Sequence, residues 1–535
     1  MRARVACALL LLCSGVDSAH AGRLPPPSAE VLKARGAGEA LYRLGILPSG
    51  GPLIGERGEG APAAGAAAAC VNCHGRSGLG EADGSVRIPP ITGSFLFAPI
   101  SQGSMDPRLP HIDGMPDRPA YNLESFARAL REGIDAQGRT LSSLMPRFSV
   151  SDSDVRDLSE YLKSLTPPTL PGVERGLVQF ATIVTPDADA AKRAAMLAVL
   201  NQYFADQNEF ARVQTEANAQ QPLSKRRWKL FVWDLTGPPS SWEAQLERLR
   251  AQQPVYAVLA GLGGSDWAPV HRFCEKSALP CLFPNVDLPV VAEHDFYSVY
   301  FSRGVLLEAD LMDSELVNSK RVVQVYREGD VGTAAAAAVQ RKLAARGIEV
   351  LDHPLPAHAA IASLASLVRG LGPQDALVLW LRDADLTALN QVQVPHATVV
   401  VSGIMAGMDK APLNSAWRGV AHLSYPVDLP ARRAPRVQYA LGWMALHHIA
   451  VSAEPVQVNT YVACSAILEM LNHMHGAFPP DYLIERLEAM LEHQLVTGYY
   501  PRLALAPNER FASKGGYLVR FADGRVIPDT DWVVP

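Results

Sequence analysis

The sequence predicts a multidomain protein: an all-α domain over 28–168, then a two-lobed α/β domain with parallel sheets over 173–535. Three observations predict it. First, 535 residues are too many for one ordinary domain, and an apolar share of 48% is ample for separate cores. Second, proline punctuates the boundaries, at Pro25-Pro26-Pro27 and again through Thr166-Pro167-Pro168-Thr169-Leu170-Pro171-Gly172. Third, from about residue 177 short apolar runs alternate with helical stretches, and the alternation runs through twice.

Ahead of the first boundary, Arg2 and Arg4 form a positive n-region, Val5 to Leu12 an apolar h-region, and Ala19-His20-Ala21 a small-residue cleavage site. Residues 1–21 therefore read as a signal peptide cleaved after about Ala21, which predicts an exported, periplasmic protein. Cys13 invites a lipid anchor, but Leu12 is a poor small residue before it. No later apolar run approaches a membrane span, so the mature chain is expected to lack a transmembrane segment. The net charge of −5 gives no basic footprint for nucleic acid.

The first domain carries Cys70-Val71-Asn72-Cys73-His74. A CxxC can be half a zinc site, but no second Cys/His pair stands at suitable spacing nearby. It can be a redox dithiol, but that motif follows a strand, and here Ala61 to Ala69 precedes it. The adjacent histidine points to covalent haem: Cys70 and Cys73 add across two vinyl groups and His74 reaches the iron. Bacterial haem attachment occurs outside the cytoplasmic membrane, in agreement with the leader. One haem c is expected.

The sixth position needs a soft or imidazole ligand. Met145 is the candidate, in Leu144-Met145-Pro146 just before a helix that opens with Ser151 as N-cap and Asp154 near its third position. Val155, Leu158, Tyr161, Leu162 and Leu165 give that helix an apolar face. Met105, Met115 and His111 are weaker candidates, and Met145 can also be read as a loop methionine filling a core gap. Arg131, Arg139 and Arg147 flank the distal loop, as propionate partners or as ordinary surface arginines.

These features together resemble a class I cytochrome c. Gly38-Glu39-Ala40-Leu41-Tyr42 sets a glycine and an aromatic one turn apart on the first helix, and Tyr161-Leu162 lies on the last. In that family such a glycine lets the two helices cross closely. The resemblance implies one-electron transfer with a redox partner protein, a dehydrogenase or another cytochrome. The chain departs from the family in spacing: about seventy residues separate His74 from Met145, with what reads as an inserted loop between them.

In the second domain, strands are expected at Val178–Val184, Trp228–Trp233, Val255–Gly261 and Pro280–Pro284. The cycle restarts at Arg321–Tyr326, with a helix from Val331 to Arg346, and continues at Ile348–Leu351, Ala376–Trp380 and Ala397–Val401. This order resembles the type I periplasmic solute-binding proteins, above all the leucine/isoleucine/valine-binding branch. The resemblance implies a solute held between the lobes at strand ends, here the loops 261–267, 285–287 and 327–330. Ser265 is the candidate donor to a small amino-acid-like or carboxylate solute, with Tyr326 or Arg327 closing from the other lobe. Gly263-Gly264-Ser265 can equally be a turn and N-cap. The end of the chain, 498–519, reads as a hairpin.

Cys274 and Cys281 are spaced for a disulfide, while Cys464 reads as a buried small hydrophobe. His447-His448 and His473/His475 read as helix surface or core. The chain shows no nucleophile–base set, phosphate loop or HExxH, so an electron-transfer protein rather than an enzyme is expected. The alternative is a solute-binding receptor of ABC-transporter type with haem as accessory redox sensor. A subunit of a dehydrogenase assembly is the third reading.

Overall fold

The computed structural model describes residues 28–57, 62–83, 86–101, 117–165, 170–174, 176–213, 225–292, 295–474, 479–493, 496–506 and 509–535. The expected leader with Cys7 and Cys13, and Met105, His111, Met115 and His475, lie outside them.

Helix Ala29–Leu44 starts at Ser28, whose side chain accepts from the Val31 amide, and stops at left-handed Gly45. Helix Asp152–Ser164 starts with the expected cap: Ser151 and Asp154 form a reciprocal capping box. The two helices cross at Gly38, where a Cβ would lie 2.2 Å from the Asp157 carbonyl oxygen. That approach brings Tyr42 and Tyr161 together, ring centroids 5.2 Å apart, and lets Arg43 Nε donate to Tyr161 Oη at 3.0 Å. Helix Leu123–Arg131, capped by Asn122 and Ser125, completes the packing.

The domain is not all-α. Three short antiparallel strands, in the order Ala63–Ala64, Ile54–Glu56, Arg147–Phe148, form a small sheet, and Glu81–Asp83 pairs with Val86–Ile88. Each segment is only two or three residues long and lies outside the helices, so its backbone groups pair with those of a neighbouring segment. Gly55 permits the pairing: a Cβ there would lie 2.9 Å from the Phe148 ring and 3.0 Å from Pro146.

The first lobe of the second domain has six strands. Ser298–Val299, Cys281–Leu282, Ala257–Leu259 and Leu177–Val184 run parallel in that order. Arg227–Asp234 also pairs parallel to Leu177–Val184, and Val173–Glu174 pairs antiparallel to it. Trp233 and Trp242 fill its core. The second lobe orders Glu349–Leu355, Arg321–Arg327, Asp375–Trp380, Thr398–Ser402 and Ala421–Tyr425 as a parallel sheet, and adds Tyr517–Ala522 and Arg525–Pro528 antiparallel at one edge. Each lobe is therefore mixed at one edge rather than wholly parallel.

The expected hairpin over 498–519 is displaced. Residues 510–513 run beside 300–301, with Tyr300 bridged to Phe511, and the true hairpin is Tyr517–Ala522 with Arg525–Pro528. Its turn is Asp523-Gly524, both at positive φ, a clear hairpin signal. The lobes are joined where the chain leaves Val299, where it leaves Tyr425, and where it re-enters at Tyr517. Helix Pro430–Leu446 spans the joint: Arg433 pairs with Asp409 in the second lobe, and Trp443 Nε1 donates to Asp206 in the first at 3.0 Å. Helices Glu454–Asn472 and Pro480–Met490 follow, the former packed on helix Ala190–Val213 of the first lobe.

Candidate functional site

Val71–His74 forms a single helical turn. The amides of Cys73 and His74 donate to the Cys70 carbonyl at 3.2 and 3.0 Å, which places the two cysteines on one face. Asn72 Nδ2 ties the turn to the Ala66 carbonyl at 2.8 Å. Both cysteines are half-buried free thiols, and burial, then the neighbouring Cys73, pushes the Cys70 thiol up to about 12.

His74 Nδ1 lies 3.0 Å from the Pro89 carbonyl oxygen. A carbonyl only accepts, so Nδ1 carries the proton and Nε2 keeps its lone pair. Burial pulls the imidazole down to about 4, against that hydrogen bond, so it is neutral at physiological pH. Two thiols one turn apart and a neutral imidazole with an open Nε2 are a donor set that fits haem c.

The loop that follows is held from several sides. Tyr42 Oη donates to the Gly75 carbonyl at 2.6 Å. The Ser77 amide and hydroxyl donate to Glu485, on helix Pro480–Met490, at 2.9 and 2.5 Å. The Arg76 guanidinium sits 4.1 Å above the Phe296 ring.

Met145 stands just before strand Arg147–Phe148, half-buried against the core. Its amide donates to the Ser142 carbonyl, and its own carbonyl accepts from Arg147 Nη1 at 2.6 Å. The three arginines near it have protein partners: Arg131 with Asp152, Arg139 with Asp135, and Arg147 with the carbonyls of Met145 and Leu141.

A cavity of about 960 Å³ lies between the two lobes. The expected loops supply part of its wall, through Leu262–Ser265, Asn285–Asp287 and Glu328–Asp330, with Tyr300, Phe301, Tyr499 and Tyr500 at the joint. Among the described lining residues, carboxylates outnumber Lys and Arg two to one. Ser265 lines the cavity, but its amide and hydroxyl both donate to Asp187, at 2.7 and 2.9 Å. Thr185 donates to the other oxygen of the same carboxylate at 2.6 Å. Burial would raise Asp187, yet these hydrogen bonds win and hold it below the usual carboxylate range.

Tyr326 and Arg327 are not among the lining residues. Arg327 makes two hydrogen bonds to Asp385 and caps the carbonyls of Pro356 and Ala359, all within its own lobe. The chain turns after it, so the residues that reach the cavity are Glu328 to Asp330. The arginine that does cross the cleft is Arg382, just past strand Asp375–Trp380. It pairs with Asp330 at 2.7 Å in its own lobe and with Asp287 of the first lobe at 3.0 Å. A position past the carboxyl end of a parallel strand was the signal available for it.

Cys274 and Cys281 are free, buried thiols in contact rather than a disulfide, and burial raises Cys274 further. Cys464 is buried within helix Glu454–Asn472, as its apolar neighbours suggested. His447 pairs with Asp206 and His473 with Glu469. No described helix is long and apolar enough to cross a membrane.

Residues 60–166 match the family model for cytochrome c, which implies a covalently bound haem c in this domain. A comparison with curated proteins finds no match. Among solved structures, the chain is similar to a substrate-binding periplasmic protein from Ralstonia solanacearum, at 16% identity and TM-score 0.48, over 66% of this chain and 99% of that one. It is similar to a possible leucine/isoleucine/valine-binding protein from Rhodopirellula baltica, at 13% identity and TM-score 0.47, over 66% and 97%. A fatty acid ABC transporter substrate-binding protein from Thermomonospora curvata is similar at 15% identity and TM-score 0.46, over 68% and 94%.

Proposed function

We propose that this chain is a periplasmic electron carrier, a c-type cytochrome with one haem, fused to a two-lobed solute-binding-like module. The observation that carries the reading is the Cys70–His74 turn, with His74 Nδ1 engaged by Pro89 inside the segment that matches cytochrome c. Cys70 and Cys73 would hold the haem through thioethers, and His74 and Met145 would ligate its iron. The bound haem supplies a one-electron couple. The polypeptide's own task is to fix the two axial side chains and shield them, leaving an edge for a partner protein, a dehydrogenase or another cytochrome. No covalent catalysis is assigned to the chain.

The test is a pyridine haemochrome spectrum with intact mass on protein made with full maturation machinery. One haem per chain on two thioethers is the expected result. A colourless chain overturns the reading.

One observation favours a second reading, a solute receptor in which haem is an accessory sensor: the cavity lies between two lobes that Arg382 already links through Asp287. The charge balance of that cavity and the engagement of Ser265 by Asp187 favour a solute bearing positive charge over the carboxylate expected from sequence. A potential that shifts on solute binding would favour this reading.

A further inference from the structure

We infer that the haem pocket is completed by the second domain, with Glu485 as a positioning residue for the loop that begins at His74. The inference rests on the reading of Cys70–His74 as the attachment site.

The loop Gly75-Arg76-Ser77 leaves the haem-ligating turn at a left-handed glycine, Gly75, with φ +69°. Its own domain supplies the Tyr42 hydroxyl to the Gly75 carbonyl. The other two anchors come from the second domain. Glu485 receives both donors of Ser77, and it lies so close to Gly75 that a Cβ there would meet Oε1 at 2.7 Å. Phe296 lies beneath Arg76. The contact is built outward from these residues: Asp481, one turn earlier on the same helix, accepts from Tyr297 Oη at 3.0 Å and lies 3.7 Å from Arg43.

A carboxylate at a domain interface is costly unless its oxygens are satisfied. Among the described residues Glu485 has no ion pair, and its donors come from the loop: the amide and hydroxyl of Ser77 and the Arg76 amide. A carboxylate suits that task because two oxygens can accept from two donors that point the same way. Simple adhesion between domains is already available from the Arg43–Asp481 pair. Glu485 adds a fixed course for the chain directly behind the proximal ligand. The direct outer partner of the His74 ring is the Pro89 carbonyl, and Glu485 acts one step further out, through the backbone that follows His74.

The test uses the full-length, haem-loaded protein and the rate at which oxidised haem captures added cyanide in place of its sixth ligand, a rate that rises when the haem and the turn that carries it are less firmly held. Glu485→Ala should raise that rate several-fold, because the loop after His74 loses its common acceptor. Glu485→Gln, which keeps one acceptor oxygen for Ser77, should recover most of the loss. Ser77→Ala should move the rate in the same direction as Glu485→Ala, and it carries the test alone if Glu485→Ala fails to fold. Asp481→Asn, which weakens the Arg43 pair between the domains and leaves the Ser77 donors on Glu485, should leave the rate unchanged. A wild-type rate in both Glu485→Ala and Ser77→Ala overturns the inference, even if Tm falls. Absence of haem from the wild-type chain overturns the underlying reading instead.

Discussion

Arg382 of the second lobe donates to Asp287 of the first at 3.0 Å, while its other nitrogens hold Asp330. One guanidinium thus links the two lobes at the cavity wall and organises its own lobe. Arg382→Ala should widen the angle between the lobes, seen as a larger radius of gyration by small-angle scattering. The pair is partly exposed, so the stability change should be about 1 kcal/mol or less, shrinking as salt is added.

Asp187 occupies the amide and hydroxyl of Ser265 as a bound carboxylate would. Asp187→Ala should release those donors. Acetate or leucine should then raise Tm in the variant and leave the native protein unmoved. A rise in both proteins would show that Ser265 already serves the solute.

Met145→Leu should keep the haem, because the thioethers are untouched, and abolish the weak long-wavelength band that methionine ligation gives the oxidised form. Retention of that band would reassign the sixth ligand.

Gly38→Ala drives a methyl group against the Asp157 carbonyl at 2.2 Å. Backbone cannot yield as a side-chain tip can, so a loss of about 1–3 kcal/mol is expected, read by denaturant unfolding of the haem domain.

Glu308 is buried behind the cavity, receiving Ser424 Oγ and the Ile404 amide at 2.9 Å and the Ser402 hydroxyl. Burial pushes it up to about 8 in spite of these donors. Its folded state therefore holds a proton that the unfolded chain releases near its ordinary value of 4.5. The stabilisation is full below that value and disappears as pH rises through about 8. Glu308→Gln should flatten the fall in stability across this window, a slope of at most about 1.4 kcal/mol per pH unit, followed by thermal melts.

Local chemistry was legible in the sequence, and contacts between distant segments were not. The Ser151–Asp154 cap and the long strands Leu177–Val184 and Arg321–Arg327 each depend on a few adjacent residues or on a clear periodicity, whereas the close crossing at Gly38 was expected only from the resemblance to class I cytochromes c. The small sheet of the haem domain escaped notice because its strands are two or three residues long and Phe148 pairs with Gly55 across most of the domain. Arg327 falls just short of the cavity because strand ends are the least certain part of a pattern, and a shift of one residue turns a side chain to the other face; Arg382 follows a different strand, Asp375–Trp380, and has no sequence link to that loop. Glu485 carried no local signal at all, since nothing in its own helix marks it as a partner of Ser77.

Glu485 lies 408 residues further along the chain than Ser77, the residue it holds. A polypeptide shortened before helix Pro480–Met490 would therefore keep the CxxC segment and lose the clasp on the loop beside it.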